Sequence, residues 1–132
     1  MSIADIEARQ ILSSVFDDLS LPKRLEDLQG VQAIARYEGY YGRATKPKGW
    51  ETSKNWGAIH ADSSWKGETM MVTDSDLFGN TYNTQIKVYP THYDAALDLV
   101  KRVRKFFPLT SLFDLADKLI NSWYFGDPKK YP

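Results

Sequence analysis

The sequence predicts an α+β domain, mainly helical, in which a polar β-forming segment separates two helical halves. Three observations predict it. Apolar residues recur at helical spacing before residue 39 and again after residue 90. Between these stretches, residues 43–90 are rich in Gly, Thr, Ser, Asn and Asp. The 132 residues, 42% of them hydrophobic, suffice for one core, so residues 1–132 are expected to form a single domain.

The first helix is expected over residues 3–16. Ser2 followed by Asp5 is a capping-box pattern, in which each side chain satisfies the other's backbone N–H. Ile3, Ile6, Ile11, Leu12, Val15 and Phe16 form its apolar stripe, and Leu21-Pro22 breaks the chain. The second helix is expected over 23–38, with Leu25, Leu28, Val31, Ile34 and Ala35 on one face and Gly39 and Gly42 ending it around Tyr40 and Tyr41. Lys46-Pro47-Lys48-Gly49 is a loop signal. Two stretches, 68–73 and 83–89, read as strands, and Gly79-Asn80 between them supplies the turn of a β-hairpin. After Pro90, Thr91 with Asp94 opens a helix carrying Tyr93, Ala96, Leu97, Val100, Val103 and Phe107, which Pro108 stops. Ser111 with Asp114 opens the last helix, carrying Leu112, Leu115, Ala116, Leu119, Ile120 and Trp123, and Gly126-Asp127-Pro128 closes it. There are no internal repeats or low-complexity runs.

Composition removes several function classes. Lys+Arg and Asp+Glu number 17 each, a net charge of zero, where a nucleic-acid binder carries a basic excess. The local group Lys101, Arg102, Arg104 and Lys105, with Lys118, reads as a solvated helix face. No cysteine is present, which excludes disulfides and thiolate chemistry. His60 and His92 are the only histidines and neither sits in a metal-binding motif, so no metal and no cofactor are expected. The nucleophile elbow, the Walker A loop and the dinucleotide-binding glycine motif are all missing. The N-terminal residues lack the pattern of a secretory signal, and no stretch approaches the roughly 20 apolar residues of a membrane span. Synthesis in the cytoplasm, without membrane insertion, is therefore expected.

Glu38 carries the most chemistry. It lies four residues after Ile34 and seven after Val31, on the apolar face of its helix and at the C-terminal end. Desolvation and the negative end of the helix dipole both favour the neutral carboxyl there. An acid held protonated near neutral pH is what protonates a glycosidic oxygen. The same spacing also fits a structural Glu paired with Arg36 or Arg43. Tyr37, Tyr40, Tyr41, Trp50, Trp56 and Trp65 gather around Glu38 and in the loop after it, either as sugar-stacking faces or as ordinary core. Glycoside hydrolysis generally uses a second carboxyl. Asp62, Asp74 and Asp76 lie in the polar segment, the last two just past a predicted strand, where Asp-Ser-Asp is equally turn chemistry.

The order of these features resembles glycoside hydrolase family 73, the bacterial endo-β-N-acetylglucosaminidases. The family's "A-x-x-E-S-G-W-G" is similar to Ala35-Arg36-Tyr37-Glu38-Gly39-Tyr40-Tyr41-Gly42, its "N-N-L-F-G-I-K" to the stretch ending Asn55-Trp56-Gly57-Ala58-Ile59-His60, and its "W-x-G" to Trp65-Lys66-Gly67. The hairpin motif "T-x-E" is similar to Val72-Thr73-Asp74, and "F-R-x-Y-x-S" to Ile86-Lys87-Val88-Tyr89-Pro90-Thr91. The closing motif "G-Y-A-T-D-P-x-Y" is similar to the stretch from Trp123 to Tyr131. The similarity spans residues 31–131. Two departures stand out: Asp replaces Glu at the second acid, and Gly39-Tyr40-Tyr41-Gly42 replaces Ser-Gly-Trp-Gly.

The resemblance implies a lysozyme-like fold, with a helical lobe, a β-hairpin lobe and a cleft between them. It implies Glu38 as general acid, Asp74 or Asp76 as second carboxylate, and Tyr124 beside the reacting sugar. Tyr41, Trp56, Trp65 and Tyr89 are expected to bind substrate. The expected activity is hydrolysis of β-1,4 bonds in peptidoglycan glycan strands by a monomer. The alternatives are a muramidase or lytic transglycosylase, or a peptidoglycan-binding module without catalysis. A wall hydrolase without its own export signal needs assisted delivery to the periplasm. The expected settings are a secretion-system effector, which is preferred and implies a cognate immunity protein, or a phage lytic protein.

Overall fold

A computed structural model of the chain describes residues 2–75, 78–111 and 113–121. Helix α1 (Ile3–Asp18) begins on the expected reciprocal box, with the Ser2 hydroxyl accepting from the Asp5 amide and the Asp5 carboxylate accepting from the Ser2 amide at 3.0 Å. Helix α2 (Leu25–Gly39) starts two residues later than the sequence predicts, from Arg24 in extended conformation. It is closed by Tyr40 in the left-handed region, φ 48°, whose amide bonds back to the Arg36 carbonyl.

A single turn of helix, α3 (Trp50–Ser53), is too short to show a period and has no counterpart in the sequence reading. The antiparallel hairpin β1 (Thr69–Ser75) and β2 (Thr81–Lys87) runs in register from Thr69↔Lys87 to Ser75↔Thr81. The observed strands are displaced toward the turn relative to the prediction, by one residue at the start of the first and by two in the second. Helix α4 (His92–Val103) opens on Thr91, whose hydroxyl accepts from the Asp94 amide at 3.1 Å, and tightens into a 3-10 turn over Arg104–Phe106 before Pro108. Helix α5 (Asp114–Asn121) packs on α2, so the Gly30 face of α2 meets Leu109 and Leu115.

The main core is helical. Ala8, Leu12, Val15 and Phe16 of α1 meet Val31 and Ala35 of α2, Leu99 and Val100 of α4, and Leu115 and Leu119 of α5. A smaller cluster of Trp50, Val72 and Ile86 ties the hairpin to α3. Gly39 makes this second packing feasible, because a Cβ there would lie 2.6 Å from the Trp50 indole nitrogen. No helix among the described residues is long and apolar enough to cross a membrane.

Candidate active site

Glu38 is the penultimate residue of α2, on the side of the helix that carries Val31, Ile34 and Ala35 into the core. Neither arginine that the spacing offered as a partner takes it. Arg36 Nε lies 3.8 Å from Asp5, and Arg43 pairs with Glu7 at 3.0 Å and donates to the Tyr41 carbonyl. Among the described residues the Glu38 carboxyl has no hydrogen-bond or ion-pair partner. Burial, and secondarily the negative charge of Asp74, push its pKa from 4.5 up to about 7.

Asp74 is that close because of strand parity. It lies within the β1 ladder, two residues beyond buried Val72 and therefore on the same inward face of the hairpin. The sequence places it just past the end of a strand over 68–73; the correction is that the ladder continues through Asp74 and Ser75. Its Oδ1 accepts from the Ser75 amide at 2.8 Å, and its Oδ2 lies 3.6 Å from His60 Nε2. Opposite Asp74 in register stands Tyr82, half-buried on the same face. The sequence reading missed Tyr82, although its alternation with Ile86 was a usable signal. The Asp62 carboxylate is turned onto Ser64 in a local turn. Asp76 and Tyr124 lie outside the described residues.

The aromatic expectations need correction. Tyr41, Trp56 and Tyr89 are core residues at 1%, 0% and 3% exposure, so none offers a ring face to a sugar. Each is buried because its polar atom finds an internal acceptor. The Tyr41 hydroxyl donates to Asp5, Trp56 Nε1 to His92 Nδ1 at 3.1 Å, and the Tyr89 hydroxyl to Asp98 at 2.6 Å. Trp65 is half-buried, and its ring lies under Lys87 Nζ at 4.5 Å and against Tyr89 at 5.6 Å. Lys87 is itself buried and paired with Asp98 at 3.2 Å.

A surface groove of about 530 Å³ between α1 and α2 is lined by Asp5, Arg9, Gln32, Arg36 and Tyr37 and does not include Glu38. The Glu38–Asp74 pair therefore lies apart from that groove. Among the described residues, no three His, Asp or Glu side chains gather as a metal ion requires.

Solved structures share this fold. The glycoside hydrolase domain of FlgJ from Salmonella typhimurium is 20% identical and superposes with a TM-score of 0.54, over 94% of this chain and 78% of that one. A C-terminally truncated form of that domain gives 19% and 0.53, over 92% and 83%. The catalytic domain of the autolysin Auto from Listeria monocytogenes gives 21% and 0.50, over 79% and 58%. No family model matches the chain, and no curated protein does. What the chain shares at these identities is the lysozyme-like α+β fold.

Proposed function

We propose that this protein is a glycosidase that hydrolyses β-1,4 bonds in the glycan strands of peptidoglycan, on the reducing side of N-acetylglucosamine. The observation that carries this reading is Glu38: a carboxyl at a helix end, unpartnered among the described residues, kept protonated toward neutral pH by burial and by a second carboxylate on the facing hairpin. Glu38 donates its proton to the glycosidic oxygen as the bond to the anomeric carbon breaks and the bonding pair leaves on that oxygen. Positive charge then builds on the sugar, and the Asp74 carboxylate stabilises it. Water adds to the anomeric carbon and releases the proton that restores the acid. Tyr82 stands beside Asp74 and is the aromatic residue we assign to substrate contact, in place of the buried rings.

The direct test is release of soluble fragments from purified sacculi, with product ends identified. Reducing N-acetylglucosamine ends support the proposal. Reducing muramic acid or anhydro ends convert it to a muramidase or a transglycosylase, and wall binding without any release favours a binding module. An effector role belongs to the same proposal, and a cognate inhibitor would act by occupying the space between Glu38 and Asp74.

Two variants refine the roles. Asp74→Asn is expected to lower kcat by about 10²-fold or more. Because the variant removes a negative neighbour, it should also lower the Glu38 pKa, moving the alkaline limb of the pH–rate profile toward acid. An unmoved limb would show that Asp74 is not the group coupled to Glu38. Tyr82→Ala is expected to raise KM about tenfold, with kcat changed less than about threefold; an unchanged KM removes Tyr82 from the substrate path.

A further inference from the structure

His60 has no part in the chemistry described above, yet among the described residues its side chain is the one that pairs with Asp74. Its backbone is firmly placed. Ile59 is clamped on both sides by the buried Asn55 side chain, whose Oδ1 accepts from the Ile59 amide and whose Nδ2 donates to the Ile59 carbonyl, each at 2.9 Å. His60 then bridges to Ile86 on the free edge of β2, flanked by the bonds Ala61 N to Gln85 O at 2.9 Å and Lys87 N to Ile59 O at 3.1 Å. The root of the side chain is thus fixed while the ring reaches toward solvent.

The ring lies with Nε2 3.6 Å from Asp74 Oδ2, longer than a hydrogen bond and within ion-pair range. The other oxygen of Asp74 is held by the Ser75 amide, so the two contacts together set the carboxylate's orientation. Asp74 on β1 is the charged group in contact with the imidazole. Asp74 in turn acts electrostatically on Glu38 of α2, and of the β2 residues that bond to this edge Gln85 and Ile86 are uncharged while the Lys87 ammonium is paired with Asp98.

We infer that His60 is a positioning residue for the second carboxylate: its ring, set against Asp74 Oδ2, steers that carboxylate toward the reacting sugar. The inference deepens the glycosidase reading and rests on it. Both side chains are about half exposed, at 41% and 48%, so solvent screens the pair and its effect is modest.

Three measurements test it. First, the His60 ring resonances followed by NMR should shift in Asp74→Asn relative to the native chain, because the ring loses the carboxylate it lies against. Second, His60→Ala should lower kcat about fivefold with KM changed less than about twofold. His60→Lys, which keeps a cation, should restore most of the loss. His60→Gln replaces Ala if the Ala variant melts early. Third, in an Asp74→Asn background His60→Ala should lower kcat no further, because the ring acts through that carboxylate.

Unchanged His60 ring resonances in the Asp74→Asn chain overturn the pairing, whether or not glycan is cleaved. A His60→Lys variant as slow as His60→Ala at every pH overturns the steering role. A native chain that cleaves no glycan overturns the glycosidase reading, and the ring resonances still decide the pairing.

Discussion

Replacing Glu38 by Gln is expected to lower kcat by about 10³-fold and, at alkaline pH, to make the protein more stable. The catalytic loss follows from removing the only proton at the scissile oxygen while leaving size and polarity in place. The stability gain follows from the environment that makes the native acid useful. The folded state holds the Glu38 proton up to about pH 7, against 4.5 for the free carboxyl. A raised carboxyl pKa contributes stability that is fully present below about pH 4.5 and is lost as pH rises through about 7. Across that interval the loss is about 3 kcal/mol, an upper figure because the side chain keeps some solvent contact. Glu38→Gln does not titrate and escapes this loss. Urea unfolding should therefore show the variant about 2–3 kcal/mol more stable near pH 8.5 and little different near pH 4. A variant equally stable or less stable at pH 8.5 would mean that Glu38 ionises in contact with water and is no buried acid.

The same group sets one limb of the activity profile. Only the protonated Glu38 donates, so kcat should fall about tenfold per pH interval above about 7. Fold stability is bounded on the acid side as well. His92 accepts from Trp56 as a neutral imidazole, and burial first, then Arg43 and Lys54, lower its pKa from 6.5 to about 4. A depressed histidine pKa contributes stability present above about 6.5 and lost as pH falls toward 4. The fold and the proposed chemistry thus share a window near neutral pH.

Most of this scaffold was legible in the sequence because its determinants are local. Ser2 with Asp5, and Thr91 with Asp94, announce helix starts within a span of three residues, and both hydroxyls cap as the pattern requires. Glu38 was legible for the same reason, since its spacing to Ile34 and Val31 fixes which face it shares. The aromatic residues were not. Whether a Tyr or Trp serves as core or as sugar platform depends on the partner of its polar atom. The acceptor for Tyr41 is Asp5 and that for Trp56 is His92, each 36 residues away. Asp74 was misplaced because Thr-Asp-Ser has turn composition, yet cross-strand pairing carried the ladder through it. His60 carried no role in the sequence reading beyond closing a family-like stretch, and its actual neighbour arrives from a strand fourteen positions on.

Asn55→Ala is expected to destabilise the protein by about 3–5 kcal/mol, with activity falling further than in His60→Ala. Asn55 is fully buried and its amide makes three bonds of 2.9 Å: two to the Ile59 backbone and one to the Lys87 carbonyl at the end of β2. Truncation to Ala leaves the Ile59 amide and the Lys87 carbonyl without that partner in a region closed to water, and an orphaned buried polar group costs more than a lost exposed hydrogen bond. The bond to Lys87 joins the loop after α3 to the hairpin, and the other two brace the loop itself. Their loss therefore frees the segment that roots His60 and, through it, the strand that carries Asp74. Asn55→Asp separates the two halves of this argument. It keeps the acceptor for Ile59 N–H but turns a carboxylate oxygen toward the Ile59 and Lys87 carbonyls, so at neutral pH it should be at least as unstable as the Ala variant. Urea unfolding checks both variants, and His60 and Asp74 resonances report whether the hairpin has moved. If Asn55→Ala unfolds within about 1 kcal/mol of the native chain and cleaves glycan at the native rate, the clamp does not hold the two carboxyls together, and the placement of Asp74 near Glu38 depends on the hairpin's apolar contacts with Trp50 alone.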